Sequence, residues 1–277
     1  MKISIGGYSF NNTFLQGKMD VFGYLETVKY RYRMDVVDLW NGFFINRSGP
    51  VYKLAEKSYI RKIREALDEK EMRVVNFAVD GAHLWDPDPE VRKLLYNNAL
   101  IHLEAAEILG AETVRIDTGG SYKESEPMSD EQFEYTVKRY REYAERAAEQ
   151  GYTVGPENHM GPSLLPLEMK RIAEAVDHAG FGILLHLGRW KADEKEGDSI
   201  VAPWTVHAHF DAKTAVQNDA QDKVKSMLAG GYNGYWGVEY NAPEHQYTEV
   251  EWIIGAVKRI IARAVASAGN GGGPYEQ

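Results

Sequence analysis

The sequence predicts a single α/β barrel of eight parallel strands, a (β/α)8 TIM barrel. Three observations carry the prediction. Eight short apolar runs alternate with amphipathic stretches, the pattern of a parallel sheet with helices packed on it. The length of 277 residues is near the ~250 of one such barrel. Four later runs end in side chains that bind metals, Glu157, His186, His209 and Glu239, each separated from the next by about one strand plus one helix. A barrel builds its site at the carboxyl ends of its strands, so these four residues point to a fold and a chemistry together.

The strands are expected at 2–8, 34–40, 72–79, 112–117, 152–157, 181–187, 204–210 and 234–240. Helical patterns fall at 20–32, 54–70, 88–109, 129–150, 166–178, 219–229 and 248–266. In 89–109, Val91, Leu94, Leu95, Ala99, Leu103, Ala106 and Leu109 recur every three or four residues, which predicts one buried helix face. Asp88-Pro89 supplies an N-cap and a first-turn proline, and Gly110 a stop. An open doubly wound sheet would want a Gly-rich phosphate turn after an early strand, and Gly6-Gly7-Tyr8 does not match that fingerprint. Irregular stretches follow the strand ends at 41–50, 80–87, 118–127, 158–166 and 187–203, where loops shape a substrate pocket. One catalytic domain is expected over 1–265, with a flexible Gly-rich tail over 266–277.

Composition narrows the partners. The net charge is −9 and no basic run stands out, which argues against nucleic acid. There is no cysteine, so disulfides and thiolate zinc sites are excluded and metal ligands must be His, Asp or Glu. The first residues carry no secretory pattern, and no apolar run approaches the ~20 residues of a membrane span. A cytoplasmic protein is the expectation.

Carboxylate oxygen and imidazole nitrogen suit hard and borderline divalent ions. A lone Glu or His at a strand end is usually structural; four on successive strands, converging on one barrel mouth, predict a metal site. His207 and His209 lie two apart and face the same side of their strand. His209 is nearer the carboxyl end and is taken as the ligand, with His207 behind it or in the core.

At this point a resemblance becomes specific. Glu157-Asn158-His159-Met-Gly-Pro resembles the Glu-Asn-His-x-Gly signature of the sugar phosphate isomerase/epimerase family, within the xylose isomerase-like barrel superfamily. That superfamily also holds ketose 3-epimerases, inosose dehydratases, C-glycoside deglycosidase catalytic subunits and type IV endonucleases. His209-Phe-Asp-Ala-Lys213 is similar to its seventh-strand motif and Gly237-Val-Glu239 to its eighth-strand Gly-x-Glu. Asp80-Gly-Ala-His83 and Arg115-Ile-Asp117-Thr-Gly-Gly120 resemble its third and fourth strand ends. The resemblance spans about residues 1–265.

It implies one divalent metal on Glu157, His186, His209 and Glu239, manganese first, with zinc, cobalt or magnesium as alternatives. It implies enolisation of a keto sugar, with Glu157 and Glu239 removing and returning a proton from opposite sides, and His159 as a further base or donor. Arg189, Lys213, His83, Trp40 and Trp190 are the expected substrate-binding residues, the tryptophans because aromatic faces suit sugar rings. One departure stands out: the family ends strand six with Asp, and this chain has His186. Two Glu and two neutral His exactly offset a divalent ion, where the family set leaves −1, which predicts a stronger Lewis acid and a preference for nitrogen-loving ions.

The leading expectation is an isomerase or epimerase. A lyase acting by β-elimination on a 3-keto sugar is the alternative, as in an inosose dehydratase or a C-glycoside deglycosidase. A non-catalytic sugar-binding barrel and an abasic-site endonuclease follow. The expected partners are a small sugar or glycoside and further copies of the chain, or a small second subunit for a deglycosidase.

Overall fold

The computed structural model describes residues 1–269 except Pro50 and Glu124. Eight parallel strands form the barrel: β1 Ile3–Ile5, β2 Val36–Trp40, β3 Arg73–Val79, β4 Thr113–Ile116, β5 Thr153–Gly155, β6 Ile183–His186, β7 Thr205–Asp211 and β8 Tyr235–Glu239. They group as two four-stranded sheets, β1-β8-β7-β6 and β2-β3-β4-β5. The sheets meet at two seams. Gly6 bridges to Asp38 at one, and Val154 and Glu157 bridge to Phe181 and Leu184 at the other. All eight expected strands are present.

The outer helices are α1 Val21–Glu26, continued by a π-helical turn over Thr27–Arg31, α2 Lys57–Glu69, α3 Pro89–Leu109, α4 Asp130–Gln150, α5 Pro166–Val176, α6 Gly197–Val201, α7 Ala220–Ala229 and α8 Gln246–Gly269. The sequence pattern leaves 187–203 as loop. The five residues of α6 are too few to display a helical period. α8 runs to Gly269, past the expected domain boundary at 265. The rest of the expected tail, 270–277, lies outside the described residues.

α3 shows how the ends are fixed. The Asp88 carboxylate accepts from the Glu90 amide at 2.9 Å, and Gly110 takes the left-handed conformation at φ 66°. Its buried face differs from the apolar stripe. Leu94 is 43% exposed, while Asn98 and His102 are buried. Both polar groups tie down loops at the top of the barrel. Asn98 Nδ2 donates to the carbonyls of Tyr52 and Gly81, each at 2.9 Å, and the His102 ring meets Asn41 Nδ2 at 3.1 Å.

Strand register positions the site. His186 of β6 pairs with His209 of β7, and Asp211 of β7 pairs with Glu239 of β8. Gly237 of β8 stands beside His209. A Cβ there would come within 2.5 Å of Asp38 Oδ2 and 2.9 Å of His207 Nε2. The Gly-x-Glu motif thus has a steric reason: the missing side chain leaves room for a carboxylate behind two histidines.

Candidate active site

Glu157, His186, His209 and Glu239 converge at the carboxyl end of the barrel. His186 Nδ1 lies 3.5 Å from Glu157 Oε1 and 3.4 Å from Glu239 Oε2. His209 Nδ1 lies 3.5 Å and 3.9 Å from the same two oxygens. Three of these atoms, His186 Nδ1, His209 Nδ1 and Glu239 Oε2, are buried without a hydrogen-bond partner. Buried polar atoms are rarely left unpaired. Donors on an ion held tetrahedrally at ~2.1 Å stand about 3.4 Å apart, so the observed spacings and the unpaired atoms both fit a divalent cation. The local field agrees. Burial disfavours a charged His209, yet Asp38, Glu157 and Glu239 outweigh it and raise its pKa well above the ordinary value. The cluster favours positive charge at this place.

Both histidines have a carboxylate behind them. Asp38 Oδ2 contacts His209 Nε2 at 2.8 Å and His207 Nε2 at 2.7 Å, and Asn76 Nδ2 donates to its other oxygen at 2.7 Å. Asp211 Oδ2 lies 3.3 Å from His186 Nε2. Burial works against ionisation of Asp38 and of Asp211. The neighbouring imidazoles hold both carboxyls below their usual range all the same. Asp38 and Asp211 thus place two negative charges directly behind His209 and His186, outside the count over the four expected donors. His207 takes the supporting place expected of it.

Arg115 organises the other wall. Its Nη1 donates to Asp80 Oδ1 at 2.9 Å and to Asp117 Oδ2 at 2.7 Å, and its Nε lies 3.4 Å from Glu157 Oε2. Asp117 Oδ2 also holds His159 Nδ1 at 2.9 Å. Burial lowers the His159 pKa, but the charges of Asp117 and Glu157 outweigh it and leave it raised. Burial raises the Glu157 carboxyl, while the His159 charge and bonds from His186 and His209 hold it well below its usual value. Asn158 explains the middle of the Glu-Asn-His motif. Its Oδ1 accepts from the His186 amide at 2.6 Å, and its Nδ2 donates to the carbonyls of His186 and Arg189 at 2.8 and 2.9 Å. It locks the end of β6 against the loop after β5.

Beside them lies a cavity of about 460 Å³ whose lining includes Glu157, His159, Arg189, His209, Glu239, Trp40 and Tyr122, while His186 stays behind it. Arg189 Nη1 donates to Glu157 Oε1 at 3.1 Å, and Trp40 Nε1 to Asp80 Oδ2 at 2.7 Å. His83 lines an adjoining recess of about 440 Å³, whose lining shares Trp40 and Tyr122 with the cavity. Two expected substrate residues lie elsewhere. Trp190 is buried and its Nε1 donates to Asp198 Oδ1 at 2.7 Å, so it anchors the loop after β6. Lys213 sits on the helical turn Ala212–Ala215 and lines neither space. Sequence reasoning passed over Asp38, Asp211, Tyr122 and Lys191. For Asp38 a signal existed, a lone charge inside the apolar run Val36-Val37-Asp38-Leu39-Trp40.

A family profile described as xylose isomerase-like TIM barrel matches residues 40–256. The chain belongs to this xylose isomerase-like family. Known relatives differ in their reactions. An inosose dehydratase of Erwinia tasmaniensis is 29% identical over 111 residues, 37% of this chain and 36% of that protein. The match thus spans about a third of that relative's length. The structure of an L-ribulose 3-epimerase superposes with a TM-score of 0.75 at 12% identity, covering 100% of this chain and 99% of that one. The IOLI protein, solved with a bound zinc atom, superposes with a TM-score of 0.70 at 12% identity, covering 96% and 99%. Likeness at such identity carries the fold. Among the described residues no helix is long and apolar enough to cross a membrane.

Proposed function

We propose that this xylose isomerase-like barrel is a divalent-metal-dependent enzyme of the isomerase or epimerase type that enolises a keto sugar. The observation behind the reading is the set of buried, unpartnered atoms, His186 Nδ1, His209 Nδ1 and Glu239 Oε2, gathered around Glu157 Oε1. Glu157, His186, His209 and Glu239 would hold the ion, manganese first. A bound divalent ion supplies a Lewis acid for a carbonyl and its neighbouring hydroxyl, favouring loss of the proton between them.

The chain's own residues account for the proton handling. Glu239 turns Oε2 toward the histidines and also lines the cavity, so its other carboxylate oxygen would serve as a base. Glu157 contacts Arg115 and Arg189, which bias it toward the ionised form and make it the weaker base of the pair. His159, with Asp117 on Nδ1, has Nε2 left for a substrate proton or hydroxyl. Arg189 and Lys191 line the cavity as donors for sugar oxygens, and Trp40 and Tyr122 supply flat apolar walls.

A second reading draws on the His159–Asp117 pair. A His backed by Asp is a stronger base than a carboxylate clamped by arginines, and it suits β-elimination. In that reaction the proton beside the carbonyl goes to the base, the β-bond breaks, and the base returns the proton to the leaving group, which departs as water or an arene. The substrate would then be a keto cyclitol or a 3-keto glycoside. Association with further copies of the chain, or with a small subunit in the lyase case, is part of the proposal.

The test joins elemental analysis of the purified protein with turnover in deuterated water. About one equivalent of metal, lost in Glu239→Gln, is expected. Deuterium incorporation with an epimeric ketose supports the first reading, and an unsaturated or deglycosylated product the second. A protein free of metal, with no exchange on any keto sugar, refutes both and leaves a sugar-binding barrel.

A further inference from the structure

The two histidines of the cluster are held differently. For His209, Nε2 meets Asp38 Oδ2 at 2.8 Å. An ionised carboxylate only accepts, so Nε2 carries a proton and Nδ1 is the ring nitrogen left to face Glu157 and Glu239. For His186, Nε2 has two neighbours with opposite demands. Arg189 Nη2, which can only donate, lies at 3.2 Å, and Asp211 Oδ2, which accepts, lies at 3.3 Å.

Each neighbour selects a different neutral ring. When Nε2 accepts from Arg189, the proton sits on Nδ1, directed at Glu157 Oε1 and Glu239 Oε2 at 3.5 and 3.4 Å. When Nε2–H donates to Asp211, Nδ1 carries a lone pair toward the same oxygens. Only the second ring can bind a cation. Arg189 also occupies the carboxylates that a cation would need. Its Nη1 lies 3.1 Å from Glu157 Oε1 and its Nη2 3.7 Å from Glu239 Oε2. One guanidinium therefore opposes the ion twice, by charge and by tautomer.

We infer that Arg189 and Asp211 act as opposed positioning residues that set the tautomer of His186 and, through it, the affinity of the site for a divalent cation. The inference rests on the metal-site reading above and adds its regulation. Arg189 favours the closed cluster and Asp211 the binding one. A cation at the cluster frees the guanidinium for an oxygen-rich ligand in the cavity. Such a ligand, by drawing Arg189 away, tightens the cation in return, because linkage between two bound species is reciprocal.

The experiment titrates manganese or zinc alone into chelator-stripped protein and reads affinity by calorimetry and chelator competition. Arg189→Gln is expected to bind at least ten-fold more tightly than the parent, with Arg189→Lys between them. Asp211→Asn keeps an oxygen to accept from the Thr214 amide and is expected to bind 10–100-fold more weakly, the usual loss when a group behind a ligand is changed. Nitrogen-15 spectra of the metal-free histidines give a readout that a merely structural role would not move: the His186 proton should shift from Nδ1 to Nε2 in Arg189→Gln. Melting curves in chelator show that each variant is folded, and a lower Tm is expected for Arg189→Gln, whose two glutamates lose their counter-charge. Unchanged or weaker binding in Arg189→Gln, or parent-like binding in Asp211→Asn, overturns the inference. If neither the parent nor Arg189→Gln takes up an ion, the metal reading itself fails.

Discussion

Acidification should destabilise this barrel through a buried imidazole on α3, outside the proposed ligand set. His102 is fully buried, and burial holds its pKa down to about 4 from an ordinary 6.5. Its Nδ1 meets the Asn98 carbonyl at 2.8 Å and its Nε2 meets Asn41 Nδ2 at 3.1 Å. The first contact needs a donor and the second an acceptor, so the ring is neutral with its proton on Nδ1. Asn41 cannot turn over to welcome a second proton. Its Oδ1 accepts from the Asp80 amide at 3.0 Å, and its Nδ2 donates to the Asp80 carbonyl at 2.9 Å. As pH falls through 6.5 the unfolded chain takes up a proton that the folded chain refuses until about 4. Stability from this residue is whole above 6.5 and is lost on the way down to 4. Two and a half units at ~1.4 kcal/mol each amount to roughly 3.5 kcal/mol at most. The assay is urea unfolding in chelator at neutral pH and near pH 4.5, for the parent and for His102→Gln, which offers a donor and an acceptor but does not titrate. The stability difference between the two should move by about 2–3 kcal/mol in favour of the variant on acidification. A difference that stays constant would show that His102 titrates freely, and the argument from Asn41 would fall.

Three further outcomes follow from the site. Gly237→Ala should cost about 1–3 kcal/mol by overpacking, and should weaken metal uptake, because the new methyl displaces Asp38 from His209; parent-like metal content would refute the steric account. Asn158→Ala leaves the His186 amide and two carbonyls without their partner, a loss of roughly 2–4 kcal/mol, measurable by denaturant unfolding together with lower metal occupancy. Trp190→Phe should lower thermal stability without changing KM for any substrate found, since its indole N–H serves Asp198 and not the cavity; a raised KM would return Trp190 to the substrate site.

The barrel was legible because strands and long helices each repeat a short-range pattern. The convergence of Glu157, His186, His209 and Glu239 was legible because each ends its own apolar run. What escaped depended on register between distant strands. Asp38 reads as a lone charge until β2 is laid beside β1 and its carboxylate meets two histidines of β7. Asp211 lies two residues beyond a predicted ligand, yet its meaning comes from His186 on the neighbouring strand. Trp190 was misplaced for the opposite reason. Its position after a strand end suggested the cavity, but the local turn into α6 offered its N–H a buried carboxylate first. On α3, Asn98 and His102 fall on the buried face because loop carbonyls and Asn41, not apolar surface, wait for them there.

The two four-stranded sheets touch through isolated bridges, and the cluster of Glu157, His186, His209 and Glu239, with Asp38 behind it, reaches both seams. Glu157 is itself a bridging residue at one seam, with His186 across it, and Asp38 is a bridging residue at the other, tied to His209. An ion held by this cluster would rivet one half-barrel to the other at its mouth. Amide exchange at Leu184 and Asp38 should then slow together when metal is added, although the two positions lie at opposite seams. Stripping the metal would be felt first as a loosening between halves, and only afterwards as loss of either half's own fold.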